Sequence, residues 1–107
     1  MAADLSFIRR TFEVGAYNIS VHGFTEMGND YITTAALDRA IAFDMPEVIE
    51  DFPNNQRGAS CLILAWIELD SPIHACIGYA GSHRLIITVY RPNLRPKAWS
   101  EDFRTRR

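Results

Sequence analysis

Leu5, Ile8 and Phe12 recur at the spacing of one helix face, and Gly15 supplies a natural stop. Residues 4–14 are therefore expected to form an amphipathic helix. Tyr17 to Val21 alternates apolar and polar, the pattern of a short strand or extended entry. A brief helical turn over His22 to Met27 ends at Gly28-Asn29-Asp30. Thr33 or Thr34 can cap a second helix whose stripe is Leu37, Ala40 and Ile41, and Pro46 closes it. Beyond that proline the period shortens. Glu47–Phe52 reads as a strand, Pro53-Asn54-Asn55 as a turn, and Cys61–Leu69 as a strand covered on both faces. Ile73–Tyr79 and Leu85–Tyr90 follow as strands around Gly81-Ser82-His83. Pro92 and Pro96 then close the sheet, and Trp99–Phe103 is expected to make a final helical turn. The expected fold is α+β: N-terminal helices packed on a roughly four-stranded, mainly antiparallel sheet.

Parity sharpens the last two strands. Ile73, Ala75, Ile77 and Tyr79 share one face, and His74, Cys76 and Gly78 the other. Leu85, Ile87 and Val89 likewise oppose Ile86, Thr88 and Tyr90. A three-residue loop at 81–83 brings the greasier faces together, setting His74 opposite Tyr90 and Cys76 opposite Thr88. One face then takes the helices, and the other carries His74, Thr88 and Tyr90.

The chain has 107 residues, enough for one core that buries roughly two-thirds of the unfolded surface. It is read as a single domain, residues 1–107, with an N-terminal helix in 1–16 and the α+β core in 17–107. Its 48% hydrophobic and 22% charged residues match an ordinary globular domain rather than a disordered or fibrous one. No apolar run reaches membrane-span length, and no secretory signal pattern opens the chain, so a cytoplasmic location is expected. Cys61 and Cys76 sit in apolar stretches at a spacing that fits no zinc signature, and read as small buried hydrophobes.

The net charge of −2 conceals an asymmetry. Residues 1–83 carry four basic groups against eleven acids, whereas residues 84–107 carry seven (Arg84, Arg91, Arg95, Lys97, Arg104, Arg106 and Arg107) against Glu101 and Asp102. Two readings are open. The basic segment meets a polyanion, for which six arginines are suited, or it folds back onto acids such as Glu47, Glu50 and Asp51.

No phosphate loop, paired-cysteine motif, serine elbow or helical metal-ligand pair is present, and no metal or cofactor is expected. What remains is a constellation: His22, His74, His83, Thr88, Tyr90, Arg84 and Arg91. Metal-independent RNA cleavage needs little more. A base takes the ribose 2′-hydroxyl proton, an acid protonates the leaving oxygen, and a cation neutralises the phosphate. Imidazole, with an ordinary pKa of about 6.5, suits the proton transfers. Each residue also has a plainer role: His22 as a helix cap, His74 as a hydrogen-bonded core histidine, His83 as an idle turn residue, Tyr90 as a strand former.

The runs His22-Gly23…Met27, Glu47-Val48-Ile49-Glu50-Asp51-Phe52-Pro53, Cys61-Leu62-Ile63-Leu64, Pro72-Ile73-His74, Ile87-Thr88-Val89-Tyr90-Arg91-Pro92 and Trp99 resemble a small bacterial family known as a domain of unknown function. The resemblance covers about residues 17–107 and is most specific in the last strand. Members are similar to RelE-like toxins and often accompany a zinc-ribbon antitoxin. The resemblance thus implies a compact microbial-ribonuclease-like fold in a toxin–antitoxin setting. It places His22, His74, Thr88 and Tyr90 on the family's polar signature positions. Where the family pattern has Arg before Met27, this chain has Glu26, an acid that would repel phosphate, so the cation must come from elsewhere, such as Arg84 or Arg91.

Three functions follow as expectations. The first is a metal-independent endoribonuclease and toxin, with His22, His74, Thr88 and Tyr90 catalytic, Arg84, Arg91, Arg95 and Lys97 on the RNA, and a zinc-ribbon antitoxin as protein partner. The second is a non-catalytic module that binds protein or nucleic acid, favoured by Glu26 and the overall negative charge. The third, with no cofactor motif behind it, is a small-molecule enzyme using His22 and His74. No membrane partner is expected.

Overall fold

The computed structural model describes residues 3–68, 70–80 and 84–107. In order they form α1 (Leu5–Val14), β1 (Asn18–Ile19), α2 (Val21–Asn29), α3 (Thr34–Ala42), β2 (Glu47–Phe52), β3 (Ser60–Ile67), β4 (Ser71–Gly78) and β5 (Leu85–Tyr90), then a 3-10 turn at Pro92–Leu94. Three α-helices pack on one sheet with strand order β1-β5-β4-β3-β2, antiparallel except where β1 lies parallel to β5. The sheet has five strands rather than four. The extra one, β1, pairs only Asn18 with Leu85 and Ile19 with Ile86, too short to leave a periodic signal. His83 and the 81–83 loop lie outside the described residues.

All three helices are capped by the residue just before them. Asp4, Ser20 and Thr33 accept from the backbone N–H of Phe7, Gly23 and Ala36, satisfying a donor the first turn leaves open. Gly15 ends α1 at φ +71°, a conformation that costs a glycine little. The helical stretch expected over His22–Met27 is a full nine-residue helix, because the Ser20 cap starts it one residue earlier and Gly28 and Asn29 are accommodated in its last turn.

One sheet face carries Cys61, Ile63, Ala65, Ile73, Ala75, Ile77, Ile86 and Val89. It buries them against Ile8 and Phe12 of α1, Met27 of α2, and Leu37, Ala40 and Ile41 of α3. Fully burying side chains of this size is worth roughly 1.5–3 kcal/mol each, so this layer sets the fold. α2 runs along the outer edge of β5. Ser20 N–H donates to the Ile86 carbonyl at 2.9 Å, the Ser20 hydroxyl to that of Ile87 at 2.7 Å, and Arg91 N–H to Asp30 Oδ2 at 2.9 Å. A helix therefore covers an edge that would otherwise present open ladder groups.

Two bulges set what faces the other side. On β5 the register His74–Tyr90, Ala75–Val89, Cys76–Thr88 is followed by Ile77–Ile86, leaving Ile87 as the extra residue. Ile86, not Leu85 or Ile87, therefore joins the core, and Leu85 is exposed. On β2, Val48 pairs with Ile63 but Glu50 pairs with Leu62, leaving Ile49 extra. Simple alternation would put Glu47 and Glu50 on opposite faces. The bulge turns both toward the face that carries His74.

Residues 98–107 fold over that second face. The helical turn expected at Trp99–Phe103 is instead a tight hairpin, with Trp99 bridged to Arg106. Ser100 and Asp102 close it through side-chain-to-backbone bonds, Arg104 N–H to Asp102 at 3.1 Å and Thr105 N–H to Ser100 at 3.1 Å. Arg104 reaches Glu47, and Arg106 grips Glu50 with two bonds of 2.8 and 2.9 Å. Of the two readings of the basic segment, folding back onto the protein's own acids describes Arg104 and Arg106.

Candidate functional site

The second face holds two connected groups of polar residues. The inner one centres on His74, which is fully buried. Its Nε2 lies 2.8 Å from the Phe103 carbonyl, which can only accept, so Nε2 carries the proton. Its Nδ1, 3.0 Å from the Tyr90 hydroxyl, must then accept from it. The Trp99 ring meets the imidazole edge-on at 4.2 Å, and its indole also hydrogen-bonds Tyr90. Burial pulls the His74 pKa down to about 4, against the opposing pull of the Phe103 carbonyl and the Glu50 charge. The imidazole is thus neutral in the folded protein and enclosed. Phe103 takes φ +64°, which turns its carbonyl toward the ring. Burial likewise raises the Tyr90 phenol, outweighing Arg106 and Arg95, so Tyr90 remains a hydrogen-bond donor.

The outer group runs along α2. His22, Glu26 and Asp30 lie four residues apart on one stripe, adjacent to Thr88 and Arg91 of the neighbouring strand end. Thr88 Oγ1 donates to Glu26 Oε1, and His22 Nε2 lies 3.4 Å from that same oxygen. The His22 side chain is 70% exposed. At the other end of the stripe Asp30 accepts from Arg91 N–H, and Arg95 Nη1 approaches it at 3.4 Å. The Arg95 guanidinium lies over the Tyr90 ring at 4.8 Å. One seam of polar side chains therefore passes from His22 through Glu26, Thr88 and Tyr90 to Arg95 and Asp30.

α2 comes this close because of Gly23. A Cβ there would stand 3.1 Å from each of the Ile86 and Ile87 carbonyl oxygens. Glu26 is thereby brought within reach of Thr88. In the sequence alone Glu26 reads as an acid where the family pattern has a cation, and as support for a docking module. The signal for its real setting was the four-residue spacing to His22 and to Asp30.

The remaining arginines are placed differently. Arg84 is 8% exposed, its guanidinium stacked 4.3 Å over Phe7 of α1 on the helix side of the sheet. Arg91 donates Nε to the Asp30 carbonyl at 2.7 Å and Nη2 to that of Tyr31 at 3.3 Å, closing the C-terminal end of α2. Lys97 is exposed and its ammonium meets no acid among the described residues. Burial raises the Cys61 thiol to about 12 and also raises that of Cys76, so neither is a thiolate nucleophile at neutral pH. Among the described residues no three His, Cys, Asp or Glu side chains cluster as metal ligands, and no helix is long and apolar enough to cross a membrane. A groove of about 1100 Å³, lined by Ala36, Phe43, Met45 and Trp66, opens elsewhere and touches none of the seam but the neighbouring charges Glu47 and Arg104.

An α+β domain with a polar seam on its sheet edge is what these residues build. Residues 19–91 match the family model described as a domain of unknown function, DUF4258. The chain belongs to that family. No curated protein and no solved structure matches it.

Proposed function

We propose that this protein is a metal-independent endoribonuclease, acting as the toxin of a toxin–antitoxin pair. The observation that carries the reading is the contact between the exposed His22 and the partly buried Glu26, whose carboxylate Thr88 orients, on the same face as Tyr90 and Arg95. A carboxylate and an imidazole in contact are the two proton carriers that 2′-hydroxyl attack requires. In this reading Glu26 takes the 2′-hydroxyl proton as the oxygen attacks phosphorus. The bond to the 5′-oxygen breaks, and His22 delivers a proton to that leaving oxygen. The products are a 2′,3′-cyclic phosphate and a 5′-hydroxyl. Arg95, held over Tyr90, and Lys97 are the cations this reading assigns to the phosphate. Thr88 positions Glu26. Tyr90 positions Arg95, and the enclosed His74 positions Tyr90. Arg84 serves the fold, and Arg91 holds the end of α2 beside the site. The similarity of members of its family to RelE-like toxins, which the resemblance implies, supports the same assignment, with a zinc-ribbon antitoxin as the expected partner.

The test is cleavage of a single-stranded RNA in the presence of a chelator. Wild type should cut and leave cyclic phosphate ends, whereas Glu26→Gln and His22→Ala should each lose about a hundredfold or more with unchanged melting. Full activity in both variants overturns the assignment.

A second reading, a non-catalytic docking module, is favoured by one observation: Arg104 and Arg106 are spent on Glu47 and Glu50, and Arg95 is shared with Asp30. RNA affinity separates the two readings. A phosphate-contacting surface loses affinity steeply as salt rises; no measurable RNA binding at low salt favours docking.

A further inference from the structure

Tyr31 follows the last turn of α2 and breaks two local rules at once. Its backbone sits at φ +57°. Ile32 N–H bonds the Met27 carbonyl at 2.8 Å and Tyr31 N–H approaches that of Gly28 at 3.3 Å, the paired bonds of a helix terminus whose left-handed residue is most often glycine. A tyrosine there bears a steric cost that glycine escapes. Burial does not offset it, because Tyr31 is 89% exposed. A strained backbone carrying an unpacked aromatic ring is an arrangement that folding alone does not explain.

Its surroundings indicate what the ring could hold. The Tyr31 carbonyl accepts from Arg91 Nη2, and the preceding Asp30 holds both Arg91 and Arg95. Two guanidinium groups thus stand beside the strained residue, and Arg95 in turn lies over Tyr90. Glu26 is one helical turn before Asp30, so Tyr31 follows the proposed acid–base pair by little more than a turn along the chain. An exposed aromatic next to guanidinium groups is the usual platform for an unpaired base, with stacking on the ring and the cation on the adjoining phosphate.

We infer that Tyr31 is a nucleobase-stacking subsite, which makes unpaired, single-stranded RNA the substrate class of the site. The inference rests on the ribonuclease reading and adds what that reading lacks, a group that grips a base rather than the backbone.

The experiment measures binding without turnover. A fluorescein-labelled 2′-O-methyl single strand, which lacks the attacking hydroxyl, is compared with an abasic strand of the same length by anisotropy at low salt. Wild type should prefer the base-bearing strand. Tyr31→Gly and Tyr31→Ala should lose about tenfold of that preference, in line with one stacked base. Tyr31→Trp should keep it. Tyr31→Gly should melt no lower than wild type, so that a loss of binding is not a loss of fold. If wild type binds and cleaves RNA while Tyr31→Gly retains full preference for the base-bearing strand, the stacking subsite is overturned and the ribonuclease reading stands; Tyr31 is then left for a protein contact. If wild type binds neither strand and cleaves no RNA, both fall.

Discussion

The neutral, enclosed His74 makes folding stability depend on pH in a way the structure lets one calculate. In the unfolded chain an imidazole titrates at its ordinary 6.5, whereas burial in the folded protein holds His74 at about 4. Above 6.5 both states are neutral and the full stability is present. As pH falls from 6.5 toward 4 the unfolded chain takes up a proton that the folded protein refuses, and stability drops. Below about 4 both are protonated and this loss is complete. Each pKa unit is worth about 1.4 kcal/mol, so the drop from this residue is about 3 kcal/mol, a large part of a small domain's total. Proton uptake at Nδ1 also removes the acceptor for the Tyr90 hydroxyl, so the C-terminal hairpin should loosen with it.

The control is His74→Gln, whose amide can still donate to Phe103 and accept from Tyr90 but does not titrate. At neutral pH it should cost about 1–3 kcal/mol through lost ring packing and imperfect hydrogen bonds. Urea unfolding followed by tryptophan fluorescence is a direct assay, since Trp99 packs on the ring. Between pH values of about 7.5 and 4 the advantage of wild type over the variant should shrink by about 3 kcal/mol. Parallel pH profiles for the two proteins would refute the reasoning, as would a histidine resonance titrating near 6.5 and assigned to His74.

Other outcomes follow from single contacts. Gly23→Ala should fail to gain the roughly 1 kcal/mol that helix propensity offers, because the new methyl meets two backbone carbonyls that only a shift of α2 relieves; urea unfolding checks the sign. Tyr31→Gly should stabilise the fold by about 1 kcal/mol by relieving the left-handed strain, read as a higher midpoint. Arg106→Ala exposes one face of Trp99 and frees Glu50, but the Arg106 side chain is 61% exposed, so a thermal melt should show a cost of about 1 kcal/mol, smaller at high salt.

Much of the fold can be read directly from residue spacing, and the exceptions have definite causes. Leu5, Ile8 and Phe12 mark α1, and alternation in β4 and β5 sets His74 opposite Tyr90 and Cys76 opposite Thr88, as found. Alternation cannot reveal a bulge, because one inserted residue looks like any other until the strand is paired; hence Ile86 rather than Ile87 enters the core, and Glu50 turns unexpectedly toward Arg106. The two-residue β1 is defined by its partner and not by its own pattern. The terminal hairpin is closed by Ser100 and Asp102, whose polar turns carry no hydrophobic period. For the site, residue types indicate proton chemistry but not depth. The apolar neighbours of His74 allow the role of a hydrogen-bonded core histidine, and packing decides for it: His74 is sealed beneath Trp99, whereas His22 stands in solvent beside Glu26.

The central claim is that Glu26 and His22 act together on a ribose 2′-hydroxyl. The most direct measurement uses a DNA oligonucleotide containing one ribonucleotide, incubated with the protein in a chelator and resolved by mass spectrometry. A single cut is expected on the 3′ side of the ribonucleotide, with a 2′,3′-cyclic phosphate on one fragment and a 5′-hydroxyl on the other, and no cut by Glu26→Gln. Cleavage of the all-DNA control, or an intact chimera under conditions where the protein is folded, would contradict it.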